Sequence, residues 1–258
     1  MPDAIAPTPV AELNGLTAVV TGSSGGIGRA IALELASAGA DCLIHARRNR
    51  EGAESVAEAI RSLGRRADVL LADLAEPSEQ DRFAAEAWRW QGRVDIWINN
   101  AGADTLTGDA ARWTFEQKLD ALWSVDVVAT MRLSRAIGAK MKERGSGVIL
   151  NMGWDQAERG MAGDSGELFA ASKGAVMAFS RSLARSLAPE IRVNCLAPGW
   201  IKTKWGEHAG REWQDRAAAE SLLNRWGTPE DVARTARFLV SSAAAFINGQ
   251  IVAVNGGN

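Results

Sequence analysis

Short apolar runs alternate with amphipathic patterns along most of the chain. The apolar runs predict seven strands, over residues 16–22, 41–46, 67–74, 94–100, 147–152, 191–198 and 249–254. Helical periodicity fills the intervals, most clearly over residues 27–38, 51–63, 112–143 and 166–187. Nearly continuous apolar strands that alternate with helices are typical of a parallel sheet covered on both faces. We therefore predict a single doubly wound α/β domain with a seven-stranded parallel sheet, whose ligand lies beyond the carboxyl ends of the strands.

Composition narrows the classes of partner. The 258 residues carry a net charge of −2 with both signs interspersed, which argues against a nucleic-acid or anionic-membrane partner. The first residues lack the features of a signal peptide, and no apolar run approaches the roughly 20 residues that span a bilayer. Cys42 and Cys195 lie in apolar runs, which predicts buried thiols rather than a disulfide or a metal site. We expect a soluble, cytoplasmic protein.

A glycine-rich segment follows the first predicted strand directly. It reads "TGSSGGIG", residues 21–28, and runs straight into a helical pattern. Glycines let the backbone turn tightly and approach a pyrophosphate, and the N-terminus of a helix favours that anion. A plain tight turn between strand and helix is the alternative interpretation. The position of the segment in the first βαβ unit favours dinucleotide binding.

Five segments, in chain order, resemble those of the short-chain dehydrogenase/reductase family. They are Thr21-Gly22-x-x-x-Gly26-x-Gly28, "ADL" at 72–74, "NNAG" at 99–102, "RVNCLAPGWIKT" at 192–203 and "NGQIVAVNGG" at 248–257. The resemblance implies a Rossmann-type NAD(P)-binding domain over residues 14–258, after an N-terminal extension of residues 1–13. It also implies a substrate lid at about 200–222 and, with the small residues along 166–187, a homotetramer.

The resemblance further implies which residues contact the dinucleotide. They lie in the glycine segment, at the ends of predicted strands, in the helix of residues 166–187 and in the segment after the sixth strand: Gly22, Ser24, Gly25, Gly26, Ile27, Gly28, Asp73, Leu74, Asn100, Ala101, Gly102, Lys173, Pro198, Gly199, Ile201 and Thr203. An acidic residue at the end of the second strand would select NAD, but Ala46 stands there, with Arg47 and Arg48 after it. Guanidinium groups suit a 2′-phosphate, although a solvated basic turn is the alternative. We predict that NADP(H) is favoured over NAD(H).

This chain departs from the family's catalytic pattern at three of its four positions. The family uses an asparagine, a serine, a tyrosine and a lysine, and the resemblance places Asp126, Trp154, Phe169 and Lys173 there. The chain contains ten tryptophans and no tyrosine, so no other tyrosine replaces the missing one. Phenylalanine has no transferable proton. Ordinary tyrosine-dependent carbonyl reduction is therefore excluded.

Carboxylates near the altered positions are the candidate replacements. Asp155 and Asp126 are the best placed, and Asp155 lies beside Trp154 in the sequence, where desolvation would raise its pKa. An acid near the serine position is similar to the pattern of pteridine reductases in the same family, which points to reduction of a C=N bond. In the alternative interpretation Asp155 caps a turn and Asp126 pairs with Lys173 or an arginine.

Aromatic residues crowd the same region. We expect Trp154, Trp200, Trp205 and Trp213 at the border of the pocket, which favours a flat or apolar small-molecule substrate. Three functions stay open at this point. The first is an NADP(H)-dependent oxidoreductase that acts on an imine, a pterin or an activated C=C bond, with a carboxylate or water as proton donor. The others are a dinucleotide-binding sensor or scaffold without redox turnover, and non-redox carboxylate chemistry in the same pocket.

Overall fold

Seven parallel strands form one sheet, as predicted. The computed structural model describes residues 11–257, except for the side chains of residues 205 and 208. The strands are β1 (Thr17–Val20), β2 (Asp41–Ala46), β3 (Ala67–Leu71), β4 (Ile96–Asn99), β5 (Gly147–Met152), β6 (Ile191–Pro198) and β7 (Ile251–Val254). Their order is β3-β2-β1-β4-β5-β6-β7, so the direction of winding reverses between β1 and β4. In doubly wound sheets the ligand binds at this switch point.

Helices cover both faces of the sheet. They are α1 (Gly26–Ser37), α2 (Arg50–Ser62), α3 (Pro77–Trp90), α4 (Phe115–Leu122), α5 (Thr130–Arg144), α6 (Asp164–Leu187), α7 (Lys204–His208), α8 (Arg211–Ala219) and α9 (Pro229–Val240). Helices α1, α2 and α9 pack on one face, and α3, α5 and α6 pack on the other. Because both faces of the sheet are buried, residues at alternate positions of a strand, which point to opposite faces, are mostly apolar. Ile96 and Ile98 enter one core, while Trp97 between them enters the other.

The long helix predicted over residues 112–143 was wrong at its start. Trp113 is extended, and α4 begins after Thr114, whose hydroxyl accepts a hydrogen bond from the backbone N–H of Gln117. The side chain of Gln117 accepts in turn from the backbone N–H of Thr114, which completes a capping box. The helix then widens into a π-helical segment, Trp123–Ala129, before α5 begins. Such segments are frequent at functional sites, and this one carries Asp126.

The first ten residues of the predicted N-terminal extension lie outside the described residues. The rest of it packs against the domain, since Leu13 is fully buried and its backbone N–H donates to the carbonyl of Ala38. The boundary at residue 13 stays a prediction. Within the described part of the chain, no helix is both long enough and apolar enough to cross a membrane.

Candidate active site

Two adjoining cavities open beyond the carboxyl ends of the strands. The larger, called here the long cleft, has a volume of about 820 Å³ and lies over the switch point between β1 and β4. The smaller, called the apolar cavity, has a volume of about 560 Å³ and shares Asn100 and Thr203 with the long cleft. Together they border most of the predicted dinucleotide contacts: Gly22, Ser24, Gly25, Gly26, Ile27, Arg47, Asp73, Leu74, Asn100, Ala101, Gly102, Lys173, Pro198, Gly199, Ile201 and Thr203. Gly28 and Arg48 border neither.

The glycine segment forms an open cradle at the N-terminus of α1. A Cβ atom built on Gly25 would meet nothing within 4 Å, so a side chain there would project into free space. Gly26 has a φ of +54°, which favours glycine. Gly28 has a different task, because a Cβ there would lie 2.3 Å from the carbonyl oxygen of Gly22. The residues present therefore fit a pyrophosphate, with Gly25 and Gly26 exposing backbone N–H groups and Gly28 holding the helix against the loop.

The end of β4 is fastened to the same loop. The hydroxyl of Thr21 accepts hydrogen bonds from the backbone N–H groups of Asn100 and Ala101, both 2.9 Å long. The Asn100 amide nitrogen donates to the carbonyl oxygens of Thr21 (2.9 Å) and Gly22 (3.1 Å). These bonds fix the two strand ends relative to each other, so the floor of the long cleft is rigid.

His45 lines the long cleft as a buried, neutral residue. Its Nδ1 accepts from the backbone N–H of Gly22 at 2.9 Å, and its Nε2 donates to the carbonyl of Ala72 at 3.1 Å. The imidazole also packs on the ring of Phe83, with centroids 4.7 Å apart. Burial lowers the pKa of His45 to about 4, and the hydrogen bond to Ala72 only partly opposes this. His45 is thus structural, and it holds the glycine loop.

We predict that protonation of His45 destabilises the protein in mild acid. Its pKa is about 6.5 in the unfolded chain and about 4 in the folded one, so the unfolded state binds the extra proton first. The stabilisation is complete above about pH 6.5 and disappears by about pH 4, a change of about 3 kcal/mol. Chemical denaturation of the wild type and of His45→Asn across this range measures it. The stability advantage of the wild type over the variant should shrink as the pH falls, and an advantage that stays constant would contradict the assignment.

Two arginines follow Ala46, and they occupy different places. Both are exposed, but only Arg47 borders the long cleft, next to Ala46 and Asp73. The side chain of Asp73 accepts from the backbone N–H of Ala75, which orients the loop after β3. One arginine of the pair therefore faces the region where the adenosine ribose of a dinucleotide would lie, and the other faces solvent.

Lys173 and Asp126 form a buried ion pair. The distance from Nζ to Oδ2 is 2.7 Å, and the side chains are 12% and 1% exposed. The other oxygen, Oδ1, accepts from the backbone N–H of Ala103 at 2.8 Å. Asp126 also lies against Gly102, where an added Cβ would be 2.9 Å from Oδ2. The interpretation in which Asp126 pairs with Lys173 is therefore the one that the structure shows, and this carboxylate ties α6 to the end of β4.

Trp154 and Phe169 border the apolar cavity side by side. Their ring centroids are 6.2 Å apart in an edge-to-face arrangement. Phe169 lies one turn before Lys173 on α6, where a phenol would reach the ion pair, but it offers no hydroxyl. Met152 and Met161 add to this lining. The reacting end of the site is apolar apart from the ion pair and a few groups at its edge.

Asp155 lies away from this lining. Its Oδ2 accepts from the Asn255 side chain at 3.1 Å and approaches Gly199, while its buried Oδ1 has no partner. Burial raises the pKa of the Asp155 carboxyl, and the hydrogen bond from Asn255 opposes this. The carboxyl therefore contacts the loop after β6 and the C-terminal turn. It is not among the described residues that border the apolar cavity.

The predicted lid contains α7 and α8, and contacts among tryptophan side chains hold it together. The Trp200 ring lies 5.5 Å from Trp213 and 6.1 Å from Trp226, measured between centroids. Trp200 Nε1 donates to Glu220 at 2.6 Å, and the guanidinium of Arg216 lies over the rings of Trp200 and Trp213. Trp200 and Trp213 border the apolar cavity as expected. The prediction for the side chain of Trp205 lies outside the described residues.

Known proteins resemble this chain over nearly its whole length. A family model described as enoyl-(acyl carrier protein) reductase matches residues 22–258. The short-chain reductase protein NovJ of Streptomyces niveus is 36% identical over 261 residues, covering 98% of this chain and 97% of its own. The chain belongs to the short-chain dehydrogenase/reductase family.

Solved structures superpose closely on this chain. A short-chain dehydrogenase from Burkholderia cenocepacia in complex with NADP matches with a TM-score of 0.85 at 35% identity, over 95% of this chain and 98% of its own. A blue fluorescent protein from a metagenomic library, in complex with NADPH, matches with the same TM-score of 0.85 at 33% identity, over 95% and 98% of the two chains. Membership of this family makes the chain an oxidoreductase that uses a nicotinamide cofactor and a small-molecule substrate.

Sequence reasoning missed several cavity residues. Trp113 borders the long cleft, and Ser165 and Met161 border the apolar cavity. Trp113 was hidden in the long helix predicted over residues 112–143, although "TFEQ" at 114–117 is a capping-box signature that places it before the helix. No signal in the sequence marks Met161, because it lies in the loop before α6, outside the segments that resemble the family.

Proposed function

We propose that this protein is an NADP(H)-dependent oxidoreductase that transfers hydride to a C=N or an activated C=C bond without a phenolic proton donor. The nicotinamide ring supplies a hydride when the cofactor is bound. The main observation behind the proposal is Phe169, which lies where the family pattern places the proton donor. Lys173, one turn later, is paired with Asp126. Gly25, Gly26 and Arg47 would hold the phosphates, and Lys173 the nicotinamide ribose.

The positions of the two candidate carboxylates bear on where the proton comes from. Asp126 is engaged by Lys173 and by the Ala103 N–H, and Asp155 lies toward Asn255 and outside the apolar cavity. Neither is placed to protonate a substrate in that cavity. Of the two donors that we predicted, a carboxylate or water, the positions favour water. The lid over about 200–222 would exclude bulk solvent once the substrate is bound.

Arg47 is expected to select NADP(H). Arg47→Ala removes a charge-assisted contact to a 2′-phosphate, so NADPH affinity should fall by about tenfold to 100-fold while NADH affinity stays nearly unchanged. Arg48→Ala is the matched control, because Arg48 is equally exposed but lies outside the long cleft. Calorimetric titration of both cofactors measures the effect. Equal losses in the two variants, or a wild type that prefers NADH, would refute the role of Arg47.

Phe169→Tyr is expected to restore little ketone reduction. The new phenol would lie one turn from Lys173, but that ammonium is paired with Asp126, and Trp154 supplies no hydroxyl to orient a carbonyl oxygen. Since a general acid contributes roughly 100- to 10,000-fold, we expect the single variant to gain less than about tenfold. The double variant Phe169→Tyr/Trp154→Ser should gain more. Efficient ketone reduction by the single variant would mean that Trp154 and the Asp126–Lys173 ion pair do not limit this reaction.

The proposed function is tested by NADPH consumption. The purified protein, mixed with NADPH and panels of imines, pterins, enones and ketones, should oxidise NADPH with members of the first three classes and not with simple ketones. Binding of NADPH measured in parallel separates the outcomes. If NADPH binds but no acceptor is reduced, the protein is a dinucleotide-binding sensor or scaffold, and the oxidoreductase proposal fails.

We also propose a cytoplasmic homotetramer. The exposed side chains of Phe238 and Phe246 at the C-terminal side, and the small residues of α6, support association of copies. Analytical ultracentrifugation gives the number of copies directly.

A further inference from the structure

The charges around the apolar cavity leave no excess positive charge beside the reacting end. Among the described residues of the lining, Lys173 and Asp164 are the charged side chains. Asp126 lies behind Lys173 at 2.7 Å and cancels its charge, because both groups are nearly buried. Asp164 is exposed in the first turn of α6. A cationic ligand would therefore meet a neutral ion pair and one additional carboxylate.

The aromatic rings of this cavity differ in whether a cation of the protein lies over their faces. The guanidinium of Arg216 lies 5.8 Å from the centroid of the Trp200 ring and 5.1 Å from that of the Trp213 ring, so both rings already contact a cation. Trp154 and Phe169 have no cation over them among the described residues, where the cations that lie over rings are at Trp88, Trp200 and Trp213. The face of an indole attracts a cation, and the attraction is strongest where water is excluded.

The cavity offers no group suited to donating a proton at neutral pH. Its described lining holds one carboxyl group, that of Asp164 at the exposed edge, and the ammonium of Lys173 is engaged by Asp126. The hydroxyls of Ser165 and Thr203 are far weaker acids. A substrate that needs a proton in step with hydride transfer finds no matched donor here.

We propose that the apolar cavity binds a planar organic cation, an N-substituted iminium ion, through Trp154 and Phe169. This inference rests on the proposed function and names its substrate class. Asp126 then has a second role, which is to remove the charge of Lys173 that would repel the ligand. The site combines two rings with no cation over them, a neutralised lysine and a described lining whose one carboxyl group, that of Asp164, lies at the exposed edge.

An iminium ion needs no proton from the enzyme. The iminium carbon receives a hydride with its electron pair and forms a C–H bond, and the π electrons of the C=N bond move onto nitrogen. The product is a neutral amine. A reduced dihydronicotinamide cofactor, which loses the two electrons, is the only co-reactant required. The missing tyrosine and serine are consistent with this reaction, because no alkoxide or amide anion forms.

Binding tests the inference apart from turnover. Calorimetric titration of the protein with N-methyl-dihydroisoquinolinium and with 3-methyl-1,2-dihydronaphthalene compares a cation with its neutral carbon analogue of nearly the same shape. We expect the cation to bind at least about tenfold more tightly. Equal affinity, or tighter binding of the hydrocarbon, would overturn the proposal.

Three variants show which residues produce the preference for the cation. Trp154→Leu should remove most of it, whereas Trp154→Phe should retain much of it because a ring remains. Asp126→Asn should weaken binding of the cation and not of the hydrocarbon, since it keeps the acceptor for Ala103 and exposes the charge of Lys173. If these variants change the affinity for both ligands equally, the cavity recognises shape and not charge.

The pH profile of NADPH oxidation distinguishes failure of this inference from failure of the proposed function. With the N-methylated iminium, the rate should stay flat between about pH 6 and about pH 9, because neither the substrate nor a donor titrates. With the unmethylated imine, the rate should follow protonation of the imine itself. Reduction of enones without reduction of the iminium would overturn this inference and leave the proposed function standing. Absence of NADPH oxidation with every acceptor would overturn both.

Discussion

Asp126→Ala is expected to lower the free energy of unfolding by about 3 kcal/mol. The variant leaves the ammonium of Lys173 largely buried without its partner at 2.7 Å. It also frees the N–H of Ala103, which donates to Asp126 across the end of β4. Removing one partner of a buried pair costs more than the pair contributes, because the remaining charge has lost both water and counter-charge.

A double-mutant cycle separates the ion pair from the loss of packing. Lys173→Met removes the charge and keeps most of the apolar stem, so Asp126→Ala in that background should cost less than in the wild type. We expect a coupling of about 2 kcal/mol from denaturant unfolding of the four proteins. Strictly additive losses would mean that the 2.7 Å contact carries no coupling and that Asp126 acts only through the Ala103 hydrogen bond.

Gly25→Ala is expected to weaken NADPH binding by about 100-fold and leave stability nearly unchanged. A Cβ at Gly25 has free space in this structure, and its φ of −172° is extended backbone that any residue adopts. The methyl group would stand where a pyrophosphate approaches the N-terminus of α1, so it would displace the charge-assisted hydrogen bonds that the phosphates accept.

Gly28→Ala is the matched comparison, with the same added methyl group three positions along the chain. Its Cβ would overlap the Gly22 carbonyl oxygen at 2.3 Å and the Asn100 amide at 2.4 Å, so the loop must shift. We expect a loss of about 2 kcal/mol in stability together with weaker NADPH binding. Thermal unfolding and calorimetric titration of both variants are the measurements. If Gly25→Ala binds NADPH normally, the glycine loop does not receive the phosphates.

The fold was predictable because local and global signals agree. The run "DCLIHA" was predicted as residues 41–46 and forms β2 with those bounds, since buried strands of a parallel sheet need apolar residues on both faces. The cofactor end was predictable for a similar reason, because a glycine loop between a strand and a helix leaves few alternatives. The start of α4 was mispredicted, since helical periodicity outweighed the cap at Thr114.

The reacting end was predictable in its residues but not in their orientation. Alignment placed Asp155 next to the serine position, yet only the backbone turn Asp155–Glu158 decides that its carboxyl meets Asn255 instead of the apolar cavity. The pairing of Asp126 was one of two open interpretations, because position in a sequence does not say which cation a carboxylate reaches. Side-chain direction depends on tertiary packing, which a single sequence does not contain.

Deuterium transfer from NADPH labelled at the reactive ring carbon tests most directly whether this cavity performs hydride transfer without a phenolic donor. The protein is incubated with the labelled cofactor and N-methyl-dihydroisoquinolinium, and the amine product is analysed by mass spectrometry. We predict one deuterium at the former iminium carbon, derived from a single face of the nicotinamide, and unchanged transfer in Asp155→Asn. Product without deuterium, or no product from a protein that binds NADPH, would contradict the account.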